Sequence, residues 1–177
     1  MSETAAKHKA EAPNILNFAV ITCSTSRYKE FSETGKASDL SGDLIVQIIK
    51  NKGHRVTLRK LVSDNKSMIQ QAVMKALKSR KIDVIITTGG TGISHTDVTI
   101  EAVQPLLDKE VTGFGQIFRT ISYEKIGSSA ILTRALGGVA KGKAIFCLPG
   151  STQSVSLALE ALILPEAGHI LKHAREK

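Results

Sequence analysis

Tryptophan is absent from this 177-residue chain, and aromatic residues make up only 4% of it. The stacked aromatic platforms that hold single-stranded nucleic acid are therefore not to be expected. Cysteine is scarce as well. Cys23 and Cys147 belong to no CxxC pair and no Cys/His cluster, which argues against a disulfide framework and against a zinc site. Each ends an apolar, strand-like run and reads as a small buried hydrophobe in a reducing compartment. No apolar run approaches the length of a membrane span. Residues 1–14 mix Lys7 and Lys9 with Glu3 and Glu11 around no apolar core, so they read as a flexible tail and not as a signal peptide. A cytoplasmic protein with one domain over residues 15–177 is the expectation.

What the chain does contain is ordinary for a globular domain, with 42% hydrophobic and 23% charged residues. Its formal charge of +8 admits an anionic partner. The basic residues are dispersed, however. Lys50, Lys52, Arg55, Arg59 and Lys60 surround one helix end and the next strand, while Lys75, Lys78, Arg80 and Lys81 close another helix, where cations suit the helix dipole. A solvated surface explains this pattern better than a nucleic-acid face.

Periodicity places the elements. Residues 15–22 read as a first strand and residues 23–37, rich in Ser, Thr and Lys, as a long loop. Leu40, Leu44, Ile45, Ile48 and Ile49 recur at helical spacing ahead of Gly53, and residues 55–62 alternate as a strand. Ser63 or Asp64 then caps a helix through Met68, Ala72, Val73, Ala76 and Leu77. A third strand at Val84 is followed by short helices over 99–107 and 113–123. Residues 126–142 fit either strand or helix, residues 144–148 form a strand, and Ser151 or Thr152 caps a helix over 154–164. Pro165 opens or kinks a last segment to about Lys172. Strands separated by helices predict an α/β fold, with a mostly parallel sheet between helices on both faces.

In such folds ligands bind at the carboxyl ends of the strands. That rule gathers residues 23–27, Ser63-Asp64, residues 89–97 and residues 149–152 at one edge. At its centre, Val84-Ile85-Ile86-Thr87-Thr88 runs into Gly89-Gly90-Thr91-Gly92 with Asp97 close behind. Glycines there allow positive φ and let an anion approach backbone N–H groups. A carboxylate repels bare phosphate, so Asp97 and Asp64, one at each of two neighbouring strand ends, suit a magnesium–phosphate site. Each aspartate also fits the simpler role of a helix N-cap. Pro149-Gly150-Ser151-Thr152 repeats the strand-glycine-helix pattern, either for a second anion or as an ordinary capped start. The loop matches neither the Walker A nor the dinucleotide spacing. No nucleophile-elbow serine is present, and His95 reads as a solvated loop histidine.

These segments together resemble the MoaB/MogA family of molybdenum cofactor biosynthesis. The resemblance is carried by Thr88-Gly89-Gly90-Thr91-Gly92, Asp97-Val98-Thr99, Gly113-Phe114-Gly115 with Phe118-Arg119, Arg134, and Leu148 through Thr152. Asp39 with Ser41-Gly42 also fits. The likeness implies a molybdopterin-binding α/β domain that transfers AMP from Mg-ATP to the terminal phosphate of molybdopterin. It implies a magnesium and catalytic role for Asp64 and Asp97, and phosphate or pterin binding by Gly89, Gly90, Thr91 and Gly92. It further implies pterin contacts at Thr133, Pro149, Gly150, Ser151 and Thr152, and nucleotide contacts at Thr22, Ser24, Ser26, Ser41 and Gly42. A homo-trimer or homo-hexamer is implied, with segments such as 113–118 at its interface, and a downstream molybdenum-insertion enzyme as recipient of the product. Ser94-His95-Thr96 lacks the paired arginines of the MogA-like loop, and residues 113–152 look most like the MoaB branch, some of whose members do not adenylylate. A carrier that holds molybdopterin without adenylylating it is therefore the competing reading. A nucleic-acid binder rests on the charge alone.

Overall fold

The computed structural model describes residues 15–176, so the expected tail over 1–14 lies outside the described residues. Six strands, β1 (Asn17–Cys23), β2 (Arg55–Val62), β3 (Val84–Thr88), β4 (Lys109–Glu110), β5 (Leu136–Ala140) and β6 (Lys143–Leu148), form one sheet in the order β2-β1-β3-β6-β5-β4. The first four in that order are mutually parallel; β5 pairs antiparallel with β6, and β4 antiparallel with β5. The helices are α1 (Thr25–Thr34), α2 (Leu40–Asn51), α3 (Lys66–Lys78), α4 (Thr99–Val103), α5 (Thr112–Ile126), α6 (Thr152–Ala158) and α7 (Leu164–Arg175).

The sheet is buried on both faces, which is why β1, β3 and β6 read as unbroken apolar runs. Phe18, Val20, Val84, Ile86 and Phe146 point to one face and meet Ile45 and Ile49 of α2, Phe118 of α5 and the C-terminal helix. Their sequence neighbours Ala19, Ile21, Ile85 and Ile145 point to the other face and meet Ile69, Ala72, Val73 and Ala76 of α3 with Ala102 and Val103 of α4. Each fully buried Ile or Phe stabilises the fold by about 1.5–3 kcal/mol relative to exposure. At the outer edge β2 carries Arg55, Arg59 and Lys60 on exposed positions and, among the described residues, has only β1 as neighbour.

The helix Thr152–Arg175 is long and apolar enough to cross a membrane by length and composition, which the sequence reading did not register. Here its stripe is core: Val155, Leu159, Ile163, Ala167 and Leu171 are all 0% exposed. These residues recur every four positions, and a straight α-helix would rotate such a stripe by about 40° per step. A π turn at Leu159–Ile163 absorbs the drift. It also falls where Pro165, having no N–H, cannot bond the preceding turn.

Three local expectations change. Residues 25–34 are helical, not loop: Ser24 caps α1 by accepting from Arg27 N at 3.4 Å, and Gly35 closes it at φ 72°. No residue of α1 is buried, so it leaves no apolar period to read. Asn65, not Ser63 or Asp64, caps α3, its side chain accepting from Met68 N. The ambiguous stretch contains a 3₁₀ segment, Gly127–Leu132, and then β5.

Candidate functional site

Parallel pairing in register ends β1, β2, β3 and β6 at one level. Thr22 pairs with Thr88 and Thr88 with Leu148, while Cys23 pairs with Val62. The four exits are tied together by backbone bonds, Ser24 N to Val62 O at 2.9 Å and Gly89 N to Leu148 O at 3.0 Å. Above them lies a cavity of about 450 Å³ lined by Ser24, Arg27, Asp64, the 89–92 loop, Asp97, Thr133, Arg134, Pro149 and Gly150, among others. The four segments expected to converge do so.

The glycine loop is shaped by what surrounds it. Gly89 has φ 94°, and a Cβ there would stand 2.3 Å from the Cys23 carbonyl oxygen. Gly90 has φ 61°, and a Cβ would stand 2.7 Å from Asp64 Oδ1 and 2.6 Å from Thr99 Oγ1. Thr99 braces the loop by donating its hydroxyl to Gly89 O at 2.8 Å and its amide to Gly90 O at 2.9 Å. Arg134 holds the other end, donating to Gly92 O at 2.9 Å and pairing with Glu101. Among the described residues, no hydrogen bond uses the amides of Gly90, Thr91 or Gly92. They remain for an anion.

Asp64 is drawn away from its own helix. Its Oδ2 accepts from Thr25 N at 2.7 Å and Thr25 Oγ1 at 3.0 Å, and its amide donates back to Thr25 Oγ1 at 3.1 Å. That clamp turns Oδ1 against Gly90, where it is buried with no hydrogen-bond partner. Asp97 is not a helix cap either; its Oδ2 accepts from Ser94 N at 2.9 Å, and Val98 occupies the cap position of α4. No third His, Cys, Asp or Glu completes a protein metal cage among the described residues. Two hard carboxylates facing a phosphate cradle suit magnesium, which takes one or two carboxylates and fills its shell with phosphate oxygens and water. An orphaned carboxylate oxygen is the observation that makes the fit.

The expected site residues divide into four groups. Ser24, Asp64, Gly89, Gly90, Thr91, Gly92, Asp97, Thr133, Pro149 and Gly150 share the cavity. Ser151 and Thr152 open instead onto a neighbouring cavity of about 690 Å³ with Ser122, Lys125 and Glu160; Ser151 also caps α6 through Ser154 N. Thr22, Ser41 and Gly42 lie in a buried network on Asp39, which accepts from Thr22 Oγ1 at 2.7 Å, Gly42 N at 3.1 Å and Arg59 at 3.0 Å. Burial pushes the Asp39 carboxyl up, but these bonds outweigh it and hold it below the usual range. Ser26 is exposed and bonds Ser24 at 3.3 Å.

Sequence reasoning did not single out Thr25 as the anchor of Asp64, nor Arg27 as a cation in the cavity. Reading this stretch as loop concealed that Arg27 falls one turn into a helix. Cys23 also lines the cavity, but burial pushes its thiol up to about 12, so it is no thiolate nucleophile.

The chain is similar to known proteins over nearly its whole length. A family described as a probable molybdopterin binding domain matches residues 19–169. The molybdenum cofactor biosynthesis protein B of Bacillus cereus is 48% identical over 165 residues, 93% of this chain and 94% of that protein. A Pyrococcus furiosus protein named molybdopterin adenylyltransferase is 44% identical, covering 96% of this chain and 98% of its own. A crystal structure of the tungsten cofactor synthesizing protein MoaB from Pyrococcus furiosus superposes with a TM-score of 0.83 at 43% identity, covering 93% of this chain and all of that one.

Proposed function

The chain belongs to the molybdopterin-binding-domain family of molybdenum cofactor biosynthesis, and from that premise we propose that it is a molybdopterin adenylyltransferase. It transfers AMP from Mg-ATP to the terminal phosphate of molybdopterin. The observation that carries this reading is the buried, unpartnered Oδ1 of Asp64, held against the glycine loop in the cavity that Asp97 also lines. The name of the 44%-identical Pyrococcus furiosus relative supports it.

A phosphate oxygen of molybdopterin attacks the α-phosphorus of ATP. The new P–O bond forms as the bond to the bridging oxygen breaks, and pyrophosphate leaves with that electron pair. A phosphate monoester has a second pKa of about 6, so the nucleophile is already ionised near neutral pH and needs no strong general base. The cavity offers none: His95 does not line it, and the Cys23 thiol stays protonated. What the chain supplies is position and charge. The amides of Gly90, Thr91 and Gly92 receive phosphate oxygens, Arg27 faces them with positive charge, and Thr133 and Gly150 border the pterin side. Asp64 and Asp97 would hold magnesium, which would supply neutralising charge to the phosphates.

The family's homo-trimeric or homo-hexameric assembly is part of this reading. Phe114 and Phe118 are core residues, so within residues 113–118 the apolar side chain left to face a partner is Ile117. The surface that supports assembly is Ile117, Tyr123, Ile126, Ile131 and Leu132, exposed by 52, 63, 49, 83 and 56%. A cytoplasmic location and delivery of product to a molybdenum-insertion enzyme complete the proposal.

Its test is turnover of ATP with molybdopterin and magnesium, following pyrophosphate and adenylylated pterin. Product that disappears in Asp64→Ala is expected. Tight pterin binding without any product in the natural sequence would overturn the enzyme reading in favour of a carrier.

A further inference from the structure

At the opposite edge of the sheet, the C-terminal helix carries two histidines one turn apart. His169 Nε2 and His173 Nε2 lie 3.0 Å from each other. The remaining ring nitrogen of each faces a carboxylate, His169 Nδ1 to Glu166 Oε2 at 3.2 Å and His173 Nδ1 to Glu176 Oε2 at 3.0 Å. With the carboxylates on the Nδ1 side, the two Nε2 atoms are directed at each other, one donating to the other or both turned to a shared cation.

The spacing says which cation. A divalent transition metal bonds imidazole nitrogen at about 2.0–2.1 Å, so two adjacent ligands on one ion stand about 2.9–3.4 Å apart. The observed separation of 3.0 Å falls in that window. Carboxylates behind ligating imidazoles are the usual outer partners, since they set the tautomer and raise ligand basicity. A cavity of about 540 Å³ opens beside the pair, lined also by Asp108, Lys109 and Glu110. His169 and His173 are 25% and 51% exposed at the side chain, so an ion can reach them.

We propose that His169 and His173 form a two-histidine binding site for a divalent transition-metal ion of the zinc, nickel or copper class, backed by Glu166 and Glu176. The site is remote from the glycine loop. Arg175, two residues on, bonds Gly142 O at 2.9 Å and Asp83 Oδ1 at 2.7 Å, both of which precede the strand starts. The ion therefore acts on the C-terminal helix and not on phosphate chemistry. Imidazole selects this class over magnesium, so the two sites do not compete.

The test uses the untagged full chain, stripped with chelator and titrated with copper(II), nickel(II) or zinc(II). One ion per chain is expected, with a copper spectrum showing nitrogen ligands and a rise in the thermal unfolding temperature. His169→Gln or His173→Gln should weaken binding at least about tenfold, and Glu166→Gln by about tenfold. Adenylylation assayed with magnesium alone should be unchanged in His173→Gln. Failure of the stripped natural chain to bind any of the three ions would overturn the proposal and leave a shared proton between the rings. Binding that survives in the double variant would overturn it too.

Discussion

Asp64 and Asp83 sit at opposite ends of the same sheet, and the chain treats them in opposite ways. Asp83, just before β3, uses both carboxylate oxygens: Oδ2 accepts from Asn17 N at 2.9 Å and Asn17 Nδ2 at 3.1 Å, and Oδ1 from Arg175 at 2.7 Å. Burial raises its pKa, yet the bonds from Arg175 and Asn17 outweigh burial and hold it below the usual range. Asp64, just beyond β2, uses one oxygen and leaves the other buried and unpartnered. An unsatisfied buried acceptor costs on the order of 1–3 kcal/mol. A carboxylate that the chain satisfies completely holds the fold; one it satisfies by half holds something that arrives from outside.

Exchanging charge for shape at the two positions is the sharpest way to break this contrast. Asp64→Asn should lower adenylylation by about 10²–10³-fold, the scale for losing one charged transition-state contact, with little change in unfolding midpoint. Retention of more than a tenth of the turnover would sink the functional half of the argument. Gly89→Ala comes next. Its Cβ would meet the Cys23 carbonyl at positive φ, so urea unfolding should show a loss of about 2–3 kcal/mol. Asp83→Asn should do the reverse of Asp64→Asn, costing about 1–3 kcal/mol at neutral pH while turnover stays within twofold. Because the folded pKa of Asp83 is depressed, that stability is complete above the ordinary carboxylate value of about 3.9. The gap between natural and variant chains should close as pH falls through the lower folded value, which acid titration of stability would record. The smallest effect belongs to Arg134→Lys, which keeps the charge but loses the fork joining Gly92 O to Glu101. A severalfold rise in KM for ATP or molybdopterin is expected, visible in steady-state kinetics.

The sheet, the glycine loop and the convergence of four strand exits were legible because each has a local signature: β-branched runs, glycine, and cap-type residues. What escaped was settled by distant partners. Ser63, Asp64 and Asn65 are three consecutive cap-type residues, and nothing local says that Asp64 is claimed by Thr25, leaving Asn65 to cap. Strand β5 was hidden by Gly137 and Gly138, which weaken any strand pattern. Gly137 is needed because a Cβ there would come within 2.8 Å of the Phe114 ring, a contact from α5. Thr22, Ser41 and Gly42 have the residue types of a nucleotide site, but Asp39 and Arg59 draw them into a buried network.

The two margins of the sheet have a consequence for the chain at high concentration. An unpaired strand is a template on which another copy can add, and long apolar margins invite fibres. Here β2, unpaired on one side among the described residues, carries exposed Arg55 and Lys60, and β4 is cut to Lys109 and Glu110. Like charges would have to be stacked at one margin, and almost no ladder is on offer at the other. The protein can thus crowd without polymerising through its sheet, leaving association to its helices.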